Sequence, residues 1–246
     1  MLANPALSKR YAAAKALSFF TSDSVSQSLV RKLSEADEHI YVRLEAAASL
    51  ARRGDQSGNT FVKACLADEY PQHRLEAVIV LSEIETEAAN QLLIDTLLDN
   101  KQHPEIRAGA AWALGELRNE SAMGALIDSF IAVDEDIRIE AARALAKLAS
   151  RFTSDVVRQL SQNLPEVRPG IAWALSKSGR FTLQEMLDAL IDDDSRHWVA
   201  YIVGTQDQKR FLHEIEHLKT KDPEVYFAVN VLWKIMTSWV YGLEEY

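Results

Sequence analysis

The sequence predicts an all-α solenoid, a stack of about eight helical hairpins, and three observations support it. A short motif returns every 28 to 33 residues along the 246-residue chain. Each interval has room for two helices of roughly 12 residues and their turns. Between the motifs, apolar residues recur at helical spacing. The chain is long for one globular core but ordinary for a repeat array, so we expect one domain over residues 1–246.

The motif is an arginine, then small residues at positions +3 and +4, then an aliphatic residue at +7. Its clearest copies are residues 42–50, 106–114, 137–145 and 167–175. Residues 225–233 form a last copy, with Tyr226 in place of the arginine. The motif arginines form a ladder of seven: Arg10, Arg43, Arg74, Arg107, Arg138, Arg168 and Arg196.

The motif spacing divides the chain into repeat units. The predicted units are residues 4–36, 37–68, 69–100, 101–133, 134–163, 164–193, 194–221, and 222–246 as a C-terminal cap. A lone hairpin cannot bury its apolar face, whereas stacked hairpins share a continuous core. Each motif arginine lies near a helix start, where its charge opposes the helix dipole. We therefore predict a structural role for it, with an acidic or carbonyl partner in a neighbouring turn, such as Asp99, Asp136 or Asp194.

The segment IRAGAAWALG, residues 106–115, resembles the HEAT repeat, specifically the phycobilisome-lyase HEAT-like subgroup. The resemblance covers almost the whole chain. It implies that the arginine-bearing helix is the second of each pair and lines a concave face. It implies little about activity, because HEAT arrays include scaffolds, adaptors, regulatory subunits, bilin lyases and a group of DNA glycosylases.

On the motif helices, positions +2, +5 and +9 are predicted to point away from the core. In the first repeats these positions carry Glu45, Glu76 and Glu83, and in the later repeats they are aromatic and basic. The predicted binding residues are Trp112, Glu116, Arg143, Lys147, Trp173, Lys177, Arg180, Trp198 and Tyr201. We expect a groove that is acidic at one end and basic and aromatic at the other.

Two further details of this groove are predicted. Arg143 is expected to lie between two indoles, where it could make cation–π contacts. Gly109 and Gly170 are expected to leave room beside the tryptophans. Exposed Trp, Tyr and Arg side chains carry most of the energy of protein interfaces, which indicates binding. The alternative is that each tryptophan only covers a neighbouring helix.

These features favour a non-catalytic scaffold or adaptor that binds a protein, including an inhibitor or immunity-type protein, with no cofactor and no catalytic residue. The resemblance also implies an alternative, a bilin lyase-like subunit or chaperone, in which Lys147, Lys177 and Arg180 beside Trp173 hold a tetrapyrrole. If the chain is an enzyme, a lyase of this type is favoured. A further alternative is a HEAT-like alkylpurine DNA glycosylase, since Trp112, Glu116, Arg143 and Trp173 are similar in kind to the residues of that group.

Other candidate chemistry is weak. His213, Glu214 and His217 match the HExxH pattern of zinc peptidases, but no third ligand follows them, so no metal site is predicted. Cys65 is predicted to be a buried structural thiol. The run Asp192–Asp194 lacks the spacing of a calcium loop and is interpreted as a solvated turn.

Charge and composition bound the partners and the location. The net charge is −9 and both halves of the chain are acidic, which argues against a nucleic-acid coat. The single cysteine predicts a reducing compartment, with the cytoplasm as the default. No apolar run reaches the length of a membrane span. The aromatic C-terminal unit is predicted to cap the array, or alternatively to form a dimer.

Overall fold

The computed structural model describes residues 1–189 and 193–206, and all regular elements in this part are helices. The predicted all-α class is confirmed. Four short 3-10 helices accompany thirteen α-helices in these residues. The α-helices are α1 (Leu7–Ala16), α2 (Asp23–Ser34), α3 (Ile40–Arg52), α4 (Gln56–Leu66), α5 (Pro71–Leu81), α6 (Glu87–Leu98), α7 (Pro104–Leu117), α8 (Met123–Asp128), α9 (Glu135–Ala149), α10 (Thr153–Gln162), α11 (Arg168–Ser178), α12 (Leu183–Asp188) and α13 (Asp193–Gly204).

The chain divides into two compact units, Met1–Ala125 and Leu126–Tyr246, which we call unit 1 and unit 2. The predicted C-terminal cap, Tyr226 and the HExxH segment lie outside the described residues, as do the side chains of the run Asp192–Asp194. No described helix is long and apolar enough to cross a lipid bilayer.

In unit 1, the motif helices α1, α3, α5 and α7 contact one another in succession, and α2, α4 and α6 pack against them. The small motif residues lie in the core, because Ala46, Ala47, Ala110 and Ala111 are fully buried. Small side chains allow adjacent helices to approach closely, and a fully buried leucine at +7, such as Leu50, fills the space between repeats.

Gly58 marks the tightest packing in unit 1. A β-carbon at this position of α4 would meet the backbone carbonyl oxygen of Ala47 and would lie 2.6 Å from the backbone nitrogen of Ala51, both on α3. Backbone atoms of a packed helix cannot move aside without displacing the whole helix. The α3–α4 contact therefore requires glycine.

In unit 2, the motif helices α9, α11 and α13 also contact one another in succession, with α10 packed against α9 and α11. Leu145, Ile171 and Leu175 are fully buried there. The closest approach in this unit involves a side chain, since a β-carbon on Gly170 would lie 2.6 Å from Cε2 of the Phe130 ring.

The arginine ladder contacts mainly backbone carbonyls that precede its helices. Nε of Arg43 donates to the carbonyl oxygen of Leu33 at 3.0 Å, and Nε of Arg107 donates to that of Leu97 at 2.8 Å. Arg138 donates to the carbonyl oxygens of Ala132 and Val133, and Arg168 to that of Asn163. The last carbonyls of a helix lack partners within it, so a guanidinium placed there satisfies them.

Backbone carbonyls are thus partners of these four ladder arginines, whereas Arg74 donates to Oε1 of Gln102 at 3.4 Å. Two of the acidic partners named from the sequence, Asp99 and Asp136, do not pair with the arginines of their repeats. Arg107 contacts Leu97 rather than Asp99, and Arg138 contacts the turn before α9 rather than Asp136. The physical reason is that the end of the preceding helix presents unpaired carbonyls directly to the arginine. The partner predicted from Asp194 lies outside the described side chains.

Arg10 is the exception, because it is paired with an acid. Its Nε lies 2.8 Å from Oε2 of Glu38, and Nζ of Lys32 lies 3.1 Å from the same oxygen. Burial opposes ionisation of Glu38, but the hydrogen bonds from Arg10, from the backbone of His39 and from Lys32 outweigh it and lower its pKa to about 2. Glu38 is therefore ionised at neutral pH and holds the turn before α3.

Candidate binding surface

Helix α7 presents the predicted aromatic residue of unit 1. Trp112 is 36% exposed, whereas Ala110, Ala111, Ala113 and Leu114 beside it are fully buried. Glu116 lies one turn further along α7 and is exposed. The helix thus buries one face completely and leaves the indole partly in solvent, as predicted from its +5 position.

The two glycines near the tryptophans differ in the room they leave. A β-carbon on Gly109 would lie 3.4 Å from Cδ1 of Leu75, and Gly170 faces the Phe130 ring. These side chains come from preceding elements of the same unit. The prediction of open space is therefore wrong at Gly170, where the Phe130 ring occupies it, whereas a β-carbon at Gly109 would make only ordinary contacts.

In unit 2, Arg143 contacts a residue of its own helix, and its predicted position between two indoles stays a prediction. It is 59% exposed and forms an ion pair with Glu140, one turn earlier on α9. The cation that faces an indole is Lys177, whose Nζ lies 5.6 Å from the ring centroid of Trp173 on the same helix. An ion pair within one helix needs no second element to position it, which explains why Arg143 pairs locally.

The remaining predicted residues of unit 2 are distributed over three elements. Lys147 is partly buried on α9, and Arg180 is exposed in the turn after α11. Trp198 and Tyr201 are both partly buried on α13, with ring centroids 6.3 Å apart in an edge-to-face arrangement. Such a pair is favourable between aromatic rings and holds both in place.

Unit 1 carries a polar network on its motif helices. Nζ of Lys15, on α1, lies 2.6 Å from Oε2 of Glu83, which follows α5. Arg52, at the end of α3, lies 3.1 Å from the same oxygen and 3.5 Å from Oε1 of Glu45. Three motif helices are therefore connected through charged side chains.

Glu45 departs from the sequence prediction, which placed it on the exposed side of α3. Its side chain is fully buried, with Oε1 3.5 Å from Arg52 and with the Tyr11 hydroxyl as a further hydrogen-bond donor to the carboxylate. Burial raises the pKa of Glu45, although Lys15 and Arg52 oppose the increase. The prediction was wrong because neighbouring helices cover Glu45, and the helical period of α3 alone does not reveal them.

Glu76 and Tyr11 complete the acidic side of this network. Burial raises the pKa of Glu76, and the carboxylates of Glu45 and Glu83 raise it further. Burial also raises the pKa of Tyr11, and its neighbour Glu45 contributes to the increase. We name Tyr11, Lys15, Glu45, Arg52, Glu76 and Glu83 the acidic cluster.

A family model for HEAT repeats matches residues 29–115, 58–146 and 94–163. Together the matches extend from residue 29 to residue 163, which is more than half of the chain. The chain belongs to the HEAT repeat family. This confirms the resemblance drawn from the motif. No curated protein is similar enough to this HEAT chain to count as a match.

Solved structures similar to this HEAT chain include three natural proteins. The complex of CpcE and CpcF of phycocyanin lyase from Nostoc is 17% identical, with a TM-score of 0.40, over 95% of this chain and 91% of that one. Human deoxyhypusine hydroxylase is 12% identical, with a TM-score of 0.41, over 92% and 98%. An archaeal HEAT-like repeats protein from Thermococcus onnurineus is 16% identical, with a TM-score of 0.37, over 89% and 98%. Similarities this low carry no argument about function.

The sequence prediction of the HEAT surface missed Tyr11 and Lys15. Both lie in the first repeat, at +1 and +5 from Arg10. Reading the +5 position in that repeat would have placed a lysine next to the line of acidic residues. The contact itself spans 68 residues of sequence, so the helical period alone does not reveal it.

Other reactive groups of this HEAT chain offer no site in the described residues. Cys65 is buried on α4, and burial raises the pKa of its thiol to about 11. A thiol with that pKa is protonated at neutral pH and is a poor nucleophile. No group of three or more His, Cys, Asp or Glu side chains suited to a metal ion occurs in residues 1–189 and 193–206.

Proposed function

We propose that this HEAT chain is a non-catalytic scaffold or adaptor that binds a protein partner through the exposed face of its motif helices. The observation that supports this most directly is the partial exposure of Trp112 and Trp173 on helices whose alanine- and leucine-rich face is fully buried. Indole rings that remain partly in water are typical anchors of protein interfaces.

The charges on the same helices add to this support. In unit 2, Arg143, Lys177 and Arg180 are exposed, whereas the motif helices of unit 1 carry the acidic cluster. Charged groups of known sign select partners and speed their association. An inhibitor or immunity-type protein would use the same residues. A reducing compartment such as the cytoplasm suits the single, buried cysteine of this chain.

The test is affinity capture with the full chain as bait, followed by measurement of the dissociation constant for the purified partner. We expect Trp112→Ala and Trp173→Ala each to weaken binding about tenfold or more, which corresponds to about 1.4 kcal/mol. The matched control is Tyr70→Ala, because Tyr70 is an aromatic residue that is 56% exposed in the turn before α5.

Equal losses for the tryptophan variants and the Tyr70 control would contradict the proposal, as would the absence of any reproducible partner. Each variant must retain the helical circular-dichroism signal of the wild type, so that loss of binding is not loss of fold. Release of an alkylated base from DNA, sensitive to Trp173→Ala, would instead favour the glycosylase alternative.

A second candidate function is binding of a tetrapyrrole, and one observation favours it. Lys177 faces the ring of Trp173, and Arg180 is exposed in the turn that follows, so α11 and this turn together carry a flat apolar surface and cations for propionates. Adding a bilin to the chain should then shift the bilin absorbance bands, and Lys177→Gln should reduce the shift. An unchanged bilin spectrum excludes this candidate.

A further inference from the structure

The first repeat of unit 1 contains a cavity. Its volume is about 650 Å³, and it is lined by α1, by the first turns of α2 and by residues that precede α1. Both helices pack against α3. Volumes of about 300–1,000 Å³ are typical of sites for small molecules. The cavity therefore has the size of a ligand site.

Small and aliphatic side chains form most of the cavity wall. Ala12 and Ala16 line it from α1, and Val25 lines it from α2. Alanine side chains are too short to fill the space between two helices, so the cavity stays open. Ser28 also lines it, but its hydroxyl donates to the carbonyl oxygen of Ser24 at 2.8 Å, within α2. The wall therefore favours an aliphatic ligand and offers it few hydrogen bonds.

Lys9 gives the cavity its charge. Among the described residues that line the cavity, it carries the only charged side chain, and that side chain is exposed. It makes no hydrogen bond or ion pair with the described part of the chain. The first 22 residues contain no Asp or Glu, although the whole chain has a net charge of −9. The ammonium of Lys9 is thus available to an anionic group of a ligand.

Lys9 also departs from the pattern of the later repeats. It directly precedes the motif arginine, and four later copies of the motif place a buried aliphatic residue there, namely Val42, Ile106, Ile137 and Val167. Core packing alone accounts for an aliphatic residue at this place and not for a lysine. One cation in a wall that is otherwise mostly apolar is typical of sites that fix the polar group of a ligand and enclose its apolar part.

We propose that this cavity binds an unbranched aliphatic carboxylate of about ten carbons, a medium-chain fatty acid, with the carboxylate on Lys9 and the chain along α1 towards Leu17. These two residues lie about 12 Å apart along the helix axis, at about 1.5 Å per residue. An extended alkyl chain advances about 1.25 Å per carbon, because its bonds of about 1.5 Å follow a zigzag. About ten carbons therefore span the wall. The site is independent of the protein partner proposed above.

The test titrates sodium decanoate, below its critical micelle concentration, into the full chain labelled with 13C in its alanine methyl groups. We expect saturable shifts of the Ala12 and Ala16 methyl signals. Octanoate should bind about tenfold more weakly, because two fewer methylene groups are buried. Tetradecanoate should gain less than twofold over dodecanoate, because the added carbons extend beyond Leu17. Decanamide has the same chain without the charge and should bind about fivefold more weakly than decanoate.

Variants separate the cavity from general attraction to a lysine or to an apolar surface. Lys9→Gln should weaken decanoate about fivefold and change decanamide less than twofold. Its control is Lys63→Gln, which removes an exposed lysine from α4 and should change neither. Ala12→Leu and Ala16→Leu fill the cavity and should abolish saturable binding, whereas Ala64→Leu on the exposed side of α4 should not. Leucine is a good helix former, and circular dichroism checks that each variant remains helical.

Equal binding of decanoate and decanamide would overturn the proposal, because Lys9 would then only keep an open apolar face soluble. Unchanged binding in both leucine variants would also overturn it, since the ligand would lie elsewhere. So would a chain that is dimeric in sedimentation equilibrium, becomes monomeric with Ala16→Leu and binds no decanoate, because a second copy would then occupy the cavity. Loss of a captured partner in the tryptophan variants leaves all these outcomes unaffected.

Discussion

The motif helices of the two units carry their polar side chains in different ways. In unit 1, charged residues connect neighbouring helices, since Lys15 on α1 reaches Glu83 after α5, and Glu45 is fully buried among them. In unit 2, the two exposed cations with described partners make local contacts, because Arg143 pairs with Glu140 and Lys177 faces Trp173, each within one helix. The same repeat therefore builds an ionic cluster between helices in unit 1, whereas Arg143 and Lys177 of unit 2 remain exposed and make their contacts within one helix.

This difference shows that the motif determines how the helices pack, while the residues on the outer face of each motif helix can vary. The buried alanines and leucines are the same in both units, as Ala47 and Leu50 in α3 and Ala172 and Leu175 in α11 show. Residues at the outer positions determine whether a surface is a rigid group of charges that destabilises the fold, or a set of exposed side chains that can adapt to a partner. Preorganised groups favour affinity for one ligand, whereas exposed long side chains lose more entropy on binding.

The largest expected effect tests the packing side of this comparison. Gly58→Ala forces a β-carbon against the α3 backbone and should cost about 3 kcal/mol of the free energy of unfolding. Gly170→Ala in unit 2 should cost less, about 1–2 kcal/mol, because the obstacle is the Phe130 side chain. Gly109→Ala, with ordinary contacts, should be nearly neutral or stabilise by about 0.5 kcal/mol. Thermal and urea denaturation measure the series, and a reversed order would refute it.

The repeat and its core could be predicted from the sequence because they follow from a period. Arginine at a fixed interval, with alanines and leucine at fixed offsets, determines which face of each helix is buried, and Ala110 and Leu114 lie there. The sequence predicted that each ladder arginine has an acidic or carbonyl partner in a neighbouring turn, but it did not identify the carbonyl. Which carbonyl each arginine reaches depends on where the preceding helix ends.

The site was less predictable, because it depends on contacts between helices. The partial exposure of Trp112 follows from its position on one helix. The burial of Glu45 depends on side chains from neighbouring helices, and Phe130 fills the space beside Gly170 from an element 40 residues earlier in the chain. No periodic pattern on a single helix contains this information.

The second prediction concerns the ion pair that holds the start of unit 1. Glu38→Gln should destabilise the chain by about 2 kcal/mol at pH 7, since it leaves the partly buried Arg10 without a carboxylate and the buried Lys32 with only the exposed Glu35. Glu35→Gln is the control, because Glu35 contacts Lys32 from an exposed position and should cost about 0.5 kcal/mol or less. Urea denaturation of both variants measures the difference.

The same residue gives a pH dependence with a definite sign. The folded pKa of Glu38, about 2, lies below the value near 4.5 of an unperturbed glutamate, so its contribution is complete above about pH 4.5. The contribution decreases as the pH falls from there towards 2, where Glu38 becomes protonated in the folded chain as well. The gap between wild type and Glu38→Gln should therefore narrow over this range. A constant gap would show that Glu38 acts through packing alone.

The third prediction separates binding from packing in unit 2. Trp173→Ala should reduce the free energy of unfolding by about 1 kcal/mol, because the ring is partly exposed and its contact with Lys177 is a weak cation–π interaction. Leu175→Ala on the same helix should cost about 3 kcal/mol, because Leu175 is fully buried. Similar losses in melting temperature for the two variants would make Trp173 a core residue and remove the main support for a binding surface in this unit.

The smallest effect is expected where the two units differ most, in the acidic cluster. Burial and the neighbouring Glu45 and Glu83 raise the pKa of Glu76 in the folded chain, and Tyr11 and Lys15 also lie near it. Ionisation of Glu76 therefore destabilises the folded chain. This destabilisation is absent at pH values below the unfolded pKa of a glutamate and complete above the folded pKa of Glu76. Glu76→Gln should therefore stabilise the chain at pH 7 by about 0.5 kcal/mol or less, and not at pH 4. Denaturation at both pH values measures this, with exposed Glu69→Gln as the control. A loss of stability at pH 7 would instead mean that the charge of Glu76 stabilises the fold.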